Sequence, residues 1–286
     1  MVYLDAVVQG VLLGGLYALF AAGLSLIFGV MRLVNIAHGD FIVLAAYLAL
    51  VTVQMTGLHP FQSLIVVVPL MAAIGYAVQR FLLNRTLGPN LLPPILVTFG
   101  LAVVIQNSLL LGFSTDTRRL APGSIETASL PLGPISVGWL PLMTFAVAVA
   151  LIVGLELLFY RTAMGRAFRA TSDDDETARA MGVNTRHVHA LAMALSFAVI
   201  AVAGVFLAAR SNFDPFSGPA RLIYGFEAVI IGGLGSLWGT LAGGVVLGVA
   251  QALGAQISPQ MQILAGHLVF FLILAVRPRG LFPRMD

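Results

Sequence analysis

The chain has 286 residues, 59% hydrophobic and only 9% charged, against roughly 25% charged in soluble globular proteins, so a water-soluble fold is excluded. All fifteen basic residues are arginines, so no lysine can serve as a P-loop phosphate ligand or form a Schiff base; with no cysteine, thiolate metal sites, disulfides and cysteine nucleophiles are excluded too. A net charge of +3 does not signal nucleic-acid binding, because the arginines are scattered between apolar runs and share no basic face.

A helix needs about 20 apolar residues to cross hydrocarbon. Uncharged runs of that length predict spans at Ala6 to Gly29, Phe41 to Leu58, Phe61 to Gln79, Leu91 to Phe113, a stretch ending near Leu155, and His187 to Ala209. No basic leader or small-residue cleavage site precedes the first run, so it is expected to be a retained span. Asn35, His38 and Asp40 stand where the second span begins. There Asp40 can satisfy the free N–H groups of a helix start, or Asn35 and His38 can line the cytoplasmic mouth of a path. Gln106 and Asn107 in the fourth span offer hydrogen bonds either to a substrate or to a neighbouring helix.

The longest polar stretch runs from Tyr160 to Arg186. Ser172 is expected to cap one helix of about three turns, with Asp173, Asp174 and Asp175 in its first turn and Gly182 as its stop. Its two readings are an ordinary capped connection and a docking element for a soluble partner. His187 and His189 follow, but no third ligand of suitable type lies nearby, so a metal site is not supported. No H-E-x-x-H or G-x-S-x-G pattern occurs, and the enzyme reading is weak.

From Ala228 to Val276 no Asp, Glu or Arg appears, too long a run for one crossing. With the N-terminus outside, eleven arginines (32, 80, 85, 161, 166, 169, 179, 186, 277, 279 and 284) face the cytoplasm and four (118, 119, 210 and 221) do not, as the positive-inside rule requires. An odd number of crossings must then separate Arg221 from Arg277. A short helix, Leu222 to Ile231, that enters partway and turns at Gly232, Gly233 and Gly235 satisfies this, with crossings from Trp238 to Ala255 and Met261 to Val276 after it. Glu227 on that short helix could meet the ammonium of a passing amino acid or pair with Arg221. Glycines at 235, 239 and 243, and at 244 and 248, allow close helix approach; Gly233, Gly235 and Gly239 miss the dinucleotide-binding spacing by one residue. The fold class is therefore all-α: one polytopic membrane domain over 1–286, with about eight spanning helices plus a re-entrant or broken helix.

Several stretches resemble a known family. Gly165-Arg-Ala-Phe-Arg169-Ala, Ala178 and Met181-Gly-Val-Asn184 resemble the coupling loop of branched-chain amino-acid ABC importer permeases. Val34-Asn-Ile-Ala-His-Gly-Asp40-Phe, Gly232-Gly-Leu-Gly-Ser236 and the tail Arg277-Pro-Arg-Gly-Leu281 extend the match in order along nearly the whole chain. The Asn-x-Ala-His-Gly-Asp element looks like the shorter of the two permease types. The resemblance implies a heterodimer with a second permease, two cytoplasmic ATPase subunits, a substrate-binding protein outside and a multi-pass place in the bacterial cell (inner) membrane. It also implies a coupling loop over about 161–186, with Gly165, Arg169, Ala170, Asp175, Ala178, Gly182 and Asn184 as its residues. No cofactor is expected on this chain, ATP and Mg being used by the partner ATPases. Related permeases carry branched-chain or other amino acids, urea or short amides. The competing class is a secondary transporter or channel working through intramembrane acids, which should show paired acids and repeated halves.

Overall fold

The computed structural model describes residues 2–88, 90, 92–132 and 135–282. Arg284 and the expected start of the fourth span at Leu91 lie outside them. Among these residues eleven α-helices follow in chain order: α1 (Val2–Met31), α2 (His38–Thr56), α3 (Leu64–Ala77), α4 (Leu92–Phe113), α5 (Trp139–Arg161), α6 (Ala163–Asp173), α7 (Asp175–Ala180), α8 (Thr185–Arg210), α9 (Gly218–Gly232), α10 (Leu237–Ile257) and α11 (Pro259–Val276). Among the described residues eight helices are long and apolar enough to cross a membrane: α1, α2, α3 with its continuation to Arg85, α4, α5, α8, α10 and α11. The protein is a polytopic helical membrane protein, as its composition predicts.

Helices α1, α2 and α8 form the buried centre, where Leu19, Phe20, Ile27, Ile42, Phe197 and Phe206 interlock. Most of α4 and α11 faces outward with Leu96, Phe99, Leu111, Phe271 and Val276 exposed. An apolar helix with apolar outward residues belongs in lipid or against another membrane subunit, because water would not tolerate that surface. Helix α3 ends in a π-helical turn, Val78–Leu82, and a 3₁₀ turn, Leu83–Arg85. Asn84 there donates to the Arg186 carbonyl at 3.0 Å, which brings the Arg80–Arg85 connection to the same end of the bundle as the 161–186 loop.

The glycine spacing works as helix-packing geometry. Helix α10 runs antiparallel to α1, and a Cβ on Gly248 would overlap the Gly10 carbonyl, while one on Gly244 would lie 2.7 Å from the Gly14 carbonyl. Gly239 and Gly243 meet Gly232 and Ala228 of α9 in the same way. Replacing Gly248 by leucine should therefore force α1 from α10 and cost about 3 kcal/mol, the upper range of overpacking penalties. Thermal unfolding in detergent measures this, and a variant melting with the parent protein would contradict the packing account.

Three features depart from the sequence-based expectations. The connection between α4 and α5 forms an antiparallel hairpin of β1 (Ser129–Leu132) and β2 (Ile135–Gly138), and in the same connection Arg118 exchanges backbone hydrogen bonds with Phe213. The polar loop carries two helices rather than one. Finally, the short helix α9 is interrupted at the other end from that expected. The expected glycine turn at depth lies instead at the arginine-bearing end of the bundle, where a Cβ on Gly235 would be 3.3 Å from the Gly29 Cα near the end of α1. The end of α9 lying at depth is its start, Gly218.

Candidate functional site

Two helix starts meet inside the bundle. After Met31 the chain turns back at Arg32, whose φ of 51° is unusual for a non-glycine residue. It runs without helix to His38. The His38 imidazole Nε2 lies 2.8 Å from the carbonyl of Phe20, close to the middle of α1, so α2 begins about half-way through the bundle. Asn35 accepts the Ala37 N–H at 3.0 Å, and Thr98 of α4 accepts the Ile36 N–H at 3.2 Å, satisfying the open backbone of this break. Asn35 and His38 are fully buried here, not at the cytoplasmic mouth where the sequence suggested them.

Helix α9 starts against that point. Any side chain on Gly39 would collide with the Gly218 carbonyl, and one on Gly218 with the Asp40 carboxylate, so the two helices touch backbone to backbone. Being 15 residues long, α9 extends about 22 Å, less than the roughly 30 Å hydrocarbon core. Asp40 is buried, lies beside the first turn of α9, and accepts a hydrogen bond from Gln106 Nε2 of α4 at 2.8 Å. A carboxylate next to free first-turn N–H groups is held by the positive end of the helix dipole. Asn35, His38, Asp40 and Gln106 are thus brought together by α1, α2, α4 and α9.

The remaining candidates separate from this cluster. Asn107 lies on the exposed face of α4 and donates to the Val103 carbonyl of its own helix at 2.8 Å; one residue of helix rotation, about 100°, turns it away from Gln106. Glu227 is two and a half turns along α9 from Gly218 and pairs with His267 of α11 rather than Arg221. His267 was missed, although it is the one ionisable residue in the uncharged run from Ala228 to Val276, a signal that could have singled it out. Arg210 and Arg221, counted outside by charge, also lie on helices of the bundle, and Arg210 donates to the Leu12 carbonyl at 3.3 Å. Gly232, Gly233 and Gly235 form a backbone junction: Leu281 and Phe282 donate to the carbonyls of Ile231 and Gly232 at 2.8 and 2.9 Å, so the C-terminal tail closes over the turn.

At the arginine-bearing end, α6 and α7 form a fastened elbow. Thr162 caps α6, accepting the Gly165 N–H at 3.0 Å. Gly165 leaves no room for a Cβ against the carbonyls of Leu158 and Phe159, so α6 folds directly back on the end of α5. Arg169 donates to the Phe159 carbonyl and lies 5.0 Å from the Tyr160 ring centroid, and buried Phe168 packs on Phe159. Ser172 does not cap a helix; its hydroxyl donates to the Gly29 carbonyl of α1 at 2.7 Å. The cap of α7 is Asp174, which accepts the N–H groups of Glu176 and Thr177 at 3.0 and 3.1 Å. The expectation failed because Ser172 itself lies within α6, Ala163–Asp173, leaving Asp174 as the first residue free to cap the next helix.

Asp175 pairs with Arg179, which also donates to Thr185 at 2.8 Å; Ala178 is buried; Gly182 turns the chain at φ 87°; and Asn184 caps α8 by accepting the His187 N–H at 3.1 Å. Ala170 is exposed on α6, and Met181 protrudes at the tip with 80% exposure. The hydroxyl and N–H groups donated by Thr177 hold the Asp174 carboxyl below its ordinary pKa. Its contribution is thus present above the unfolded-state pKa and is lost as pH falls through the lowered folded value. Asp174→Ala should speed amide exchange across 175–182 several-fold at neutral pH, an acceleration that disappears in acid; equal exchange at both pH values would exclude this cap.

A high-affinity branched-chain amino acid transport system permease protein, BraD, of Pseudomonas aeruginosa is 28% identical, covering 99% of this chain and 97% of its own. The corresponding permease protein LivH of Escherichia coli is 26% identical, covering 99% and 96%. In fold, the chain resembles the structure of PsaBC from Streptococcus pneumoniae in complex with Fab, with a TM-score of 0.50, 17% identity and coverage of 95% and 91%. The family model described as the permease component of the branched-chain amino acid transport system matches residues 6–277. Nearly the full length is thus accounted for, and the chain belongs to the family of branched-chain amino acid transport system permease components, multi-pass transport proteins of the cell's inner membrane.

Proposed function

We propose that this chain is the shorter permease subunit of an ATP-driven importer for branched-chain or other small amino acids. It pairs with a second, related permease, two cytoplasmic ATPase subunits and an extracytoplasmic substrate-binding protein; ATP and Mg are handled by the ATPases and no cofactor by this chain. The observation that carries the reading is the elbow of α6 and α7, bonded to the ends of α5 and α1 through Arg169 and Ser172 with Met181 projecting from its tip. An ATPase gripping that tip moves α1 and α5 as rigid bodies, the form of motion that alternates access in transporters. Asp40 at the meeting of α2 and α9 is the group that would receive the substrate ammonium. Asn35 Nδ2 and His38 Nδ1, buried with no protein partner among the described residues, supply further polar capacity there.

Co-expression of this chain with its three kinds of partner and reconstitution into proteoliposomes tests the reading. Uptake of labelled leucine should require ATP on the ATPase side and the binding protein on the other, with labelled urea transported poorly. Ion-gradient-driven uptake by this chain alone would support the secondary-transporter class instead, and ATP-driven uptake of urea in place of leucine would reassign the substrate.

A further inference from the structure

A cavity of about 1070 Å³ lies at the arginine-bearing end of the bundle, between the ends of α1 and α5, helix α6, the turn from α9 to α10, and the segment after α11. Three of its lining residues are arginines from separate parts of the chain: Arg32 from the break after α1, Arg169 from α6 and Arg279 from the tail. Among the described residues they outnumber the carboxylates of the lining, Glu156 and Asp173, so the cavity favours a ligand of net negative charge. Much of the remaining wall is apolar, with Leu26, Ile230 and Leu237.

Two aromatic residues mark the level at which it opens. Trp238, 48% exposed, and Tyr160, 62% exposed, border the cavity at the ends of spanning helices, where tryptophan and tyrosine collect at the boundary between hydrocarbon and headgroups. Arg169 rests over the Tyr160 ring and donates to the Phe159 carbonyl, and its guanidinium has five N–H donors in a planar fork suited to a phosphate diester. A soluble anion would use the arginines and leave the apolar wall uncovered. An amphiphile would use both: basic pockets between spanning helices on the cytoplasmic side are suited to lipid headgroups.

We propose that this cavity binds one anionic phospholipid of the cytoplasmic leaflet, its phosphate held by Arg32, Arg169 and Arg279 and its acyl chain laid along the wall towards Trp238. The bound lipid then joins the α6 elbow, the end of α1 and the C-terminal tail, the parts through which movement of the cytoplasmic end must pass.

The sequence holds two tryptophans, Trp139 and Trp238, so Trp139→Phe leaves Trp238 as the only tryptophan reporter. The full-length Trp139→Phe protein in mixed micelles is titrated with dibrominated phosphatidylglycerol or dibrominated phosphatidylcholine, whose bromines quench a neighbouring indole. The apparent association should favour phosphatidylglycerol by about tenfold, consistent with the attraction of a few arginines for an anionic headgroup. In the Arg32→Gln, Arg279→Gln double variant that preference should fall to near one. Both arginines are exposed, and a melting curve alongside confirms that the variant is folded. Equal quenching by the two lipids, a preference unchanged in the double variant, or displacement of the lipid by millimolar inorganic phosphate would each overturn the proposal, the last by making the site one for a soluble anion.

Discussion

Gly165→Val is expected to lower ATP-driven uptake by the assembled transporter about 10- to 100-fold, the range of a lost coupling free energy, with all spans still inserted. Gly165 sits where α6 folds back, and a side chain there would overlap the carbonyls of Leu158 and Phe159. Those carbonyls belong to the last turn of α5, which the Leu158 carbonyl closes by accepting the Thr162 N–H, and they cannot yield without unwinding it, so α6 must swing away. That motion separates Arg169 from the Phe159 carbonyl and Ser172 from the Gly29 carbonyl, two of the bonds by which the elbow holds the spans. The measurement pairs uptake with ATP hydrolysis. Hydrolysis should continue while uptake falls, because the lesion lies in transmission. Parallel loss of both, with a lowered melting temperature, would mean the change simply unfolds the subunit, and parent-level uptake would mean that the elbow transmits nothing.

Asp40→Asn is the second change of large expected effect, and its power is that it keeps the shape. Asparagine can accept from Gln106 through its carbonyl oxygen, so the junction of α2 and α9 loses charge without losing that bond. If Asp40 receives an ammonium, leucine uptake should fall about tenfold or more, since a charged hydrogen bond contributes roughly 1.5 to 3 kcal/mol. Transport of an uncharged amide should hardly change. A loss shared equally by both substrates would assign Asp40 to holding the α9 start in place. The charge on Asp40 interacts favourably with the start of α9 in either case, so a modest fall in thermal stability accompanies both outcomes and does not distinguish them.

Both experiments probe places where the chain changes direction, and such places were only partly legible in the sequence. Uncharged runs located the eight spans because lipid burial acts on each stretch separately: twenty apolar residues are read the same way whatever surrounds them. Arginine placement gathered Arg32, Arg169 and Arg279 at one end, as found around the cavity there, and glycines four apart marked the α1 and α10 contact. Caps were less secure. Ser172, Asp173 and Asp174 are chemically near-equivalent as helix starters, and only the position where α6 ended selected Asp174.

The sequence by itself determined the all-helical membrane class, the spans, the charged end and, through its motifs, the family. Tertiary structure alone decided which polar residues share a place. It joined Asp40 to Gln106 across 66 positions and Glu227 to His267 across 40, turned Asn107 outward although it neighbours Gln106, and moved the glycine turn from mid-depth to the end of α1. The physical reason is that burial and charge sorting are properties of each segment against its solvent. A hydrogen bond between helices depends on the rotation and depth of both, set by packing throughout the bundle and by no local pattern.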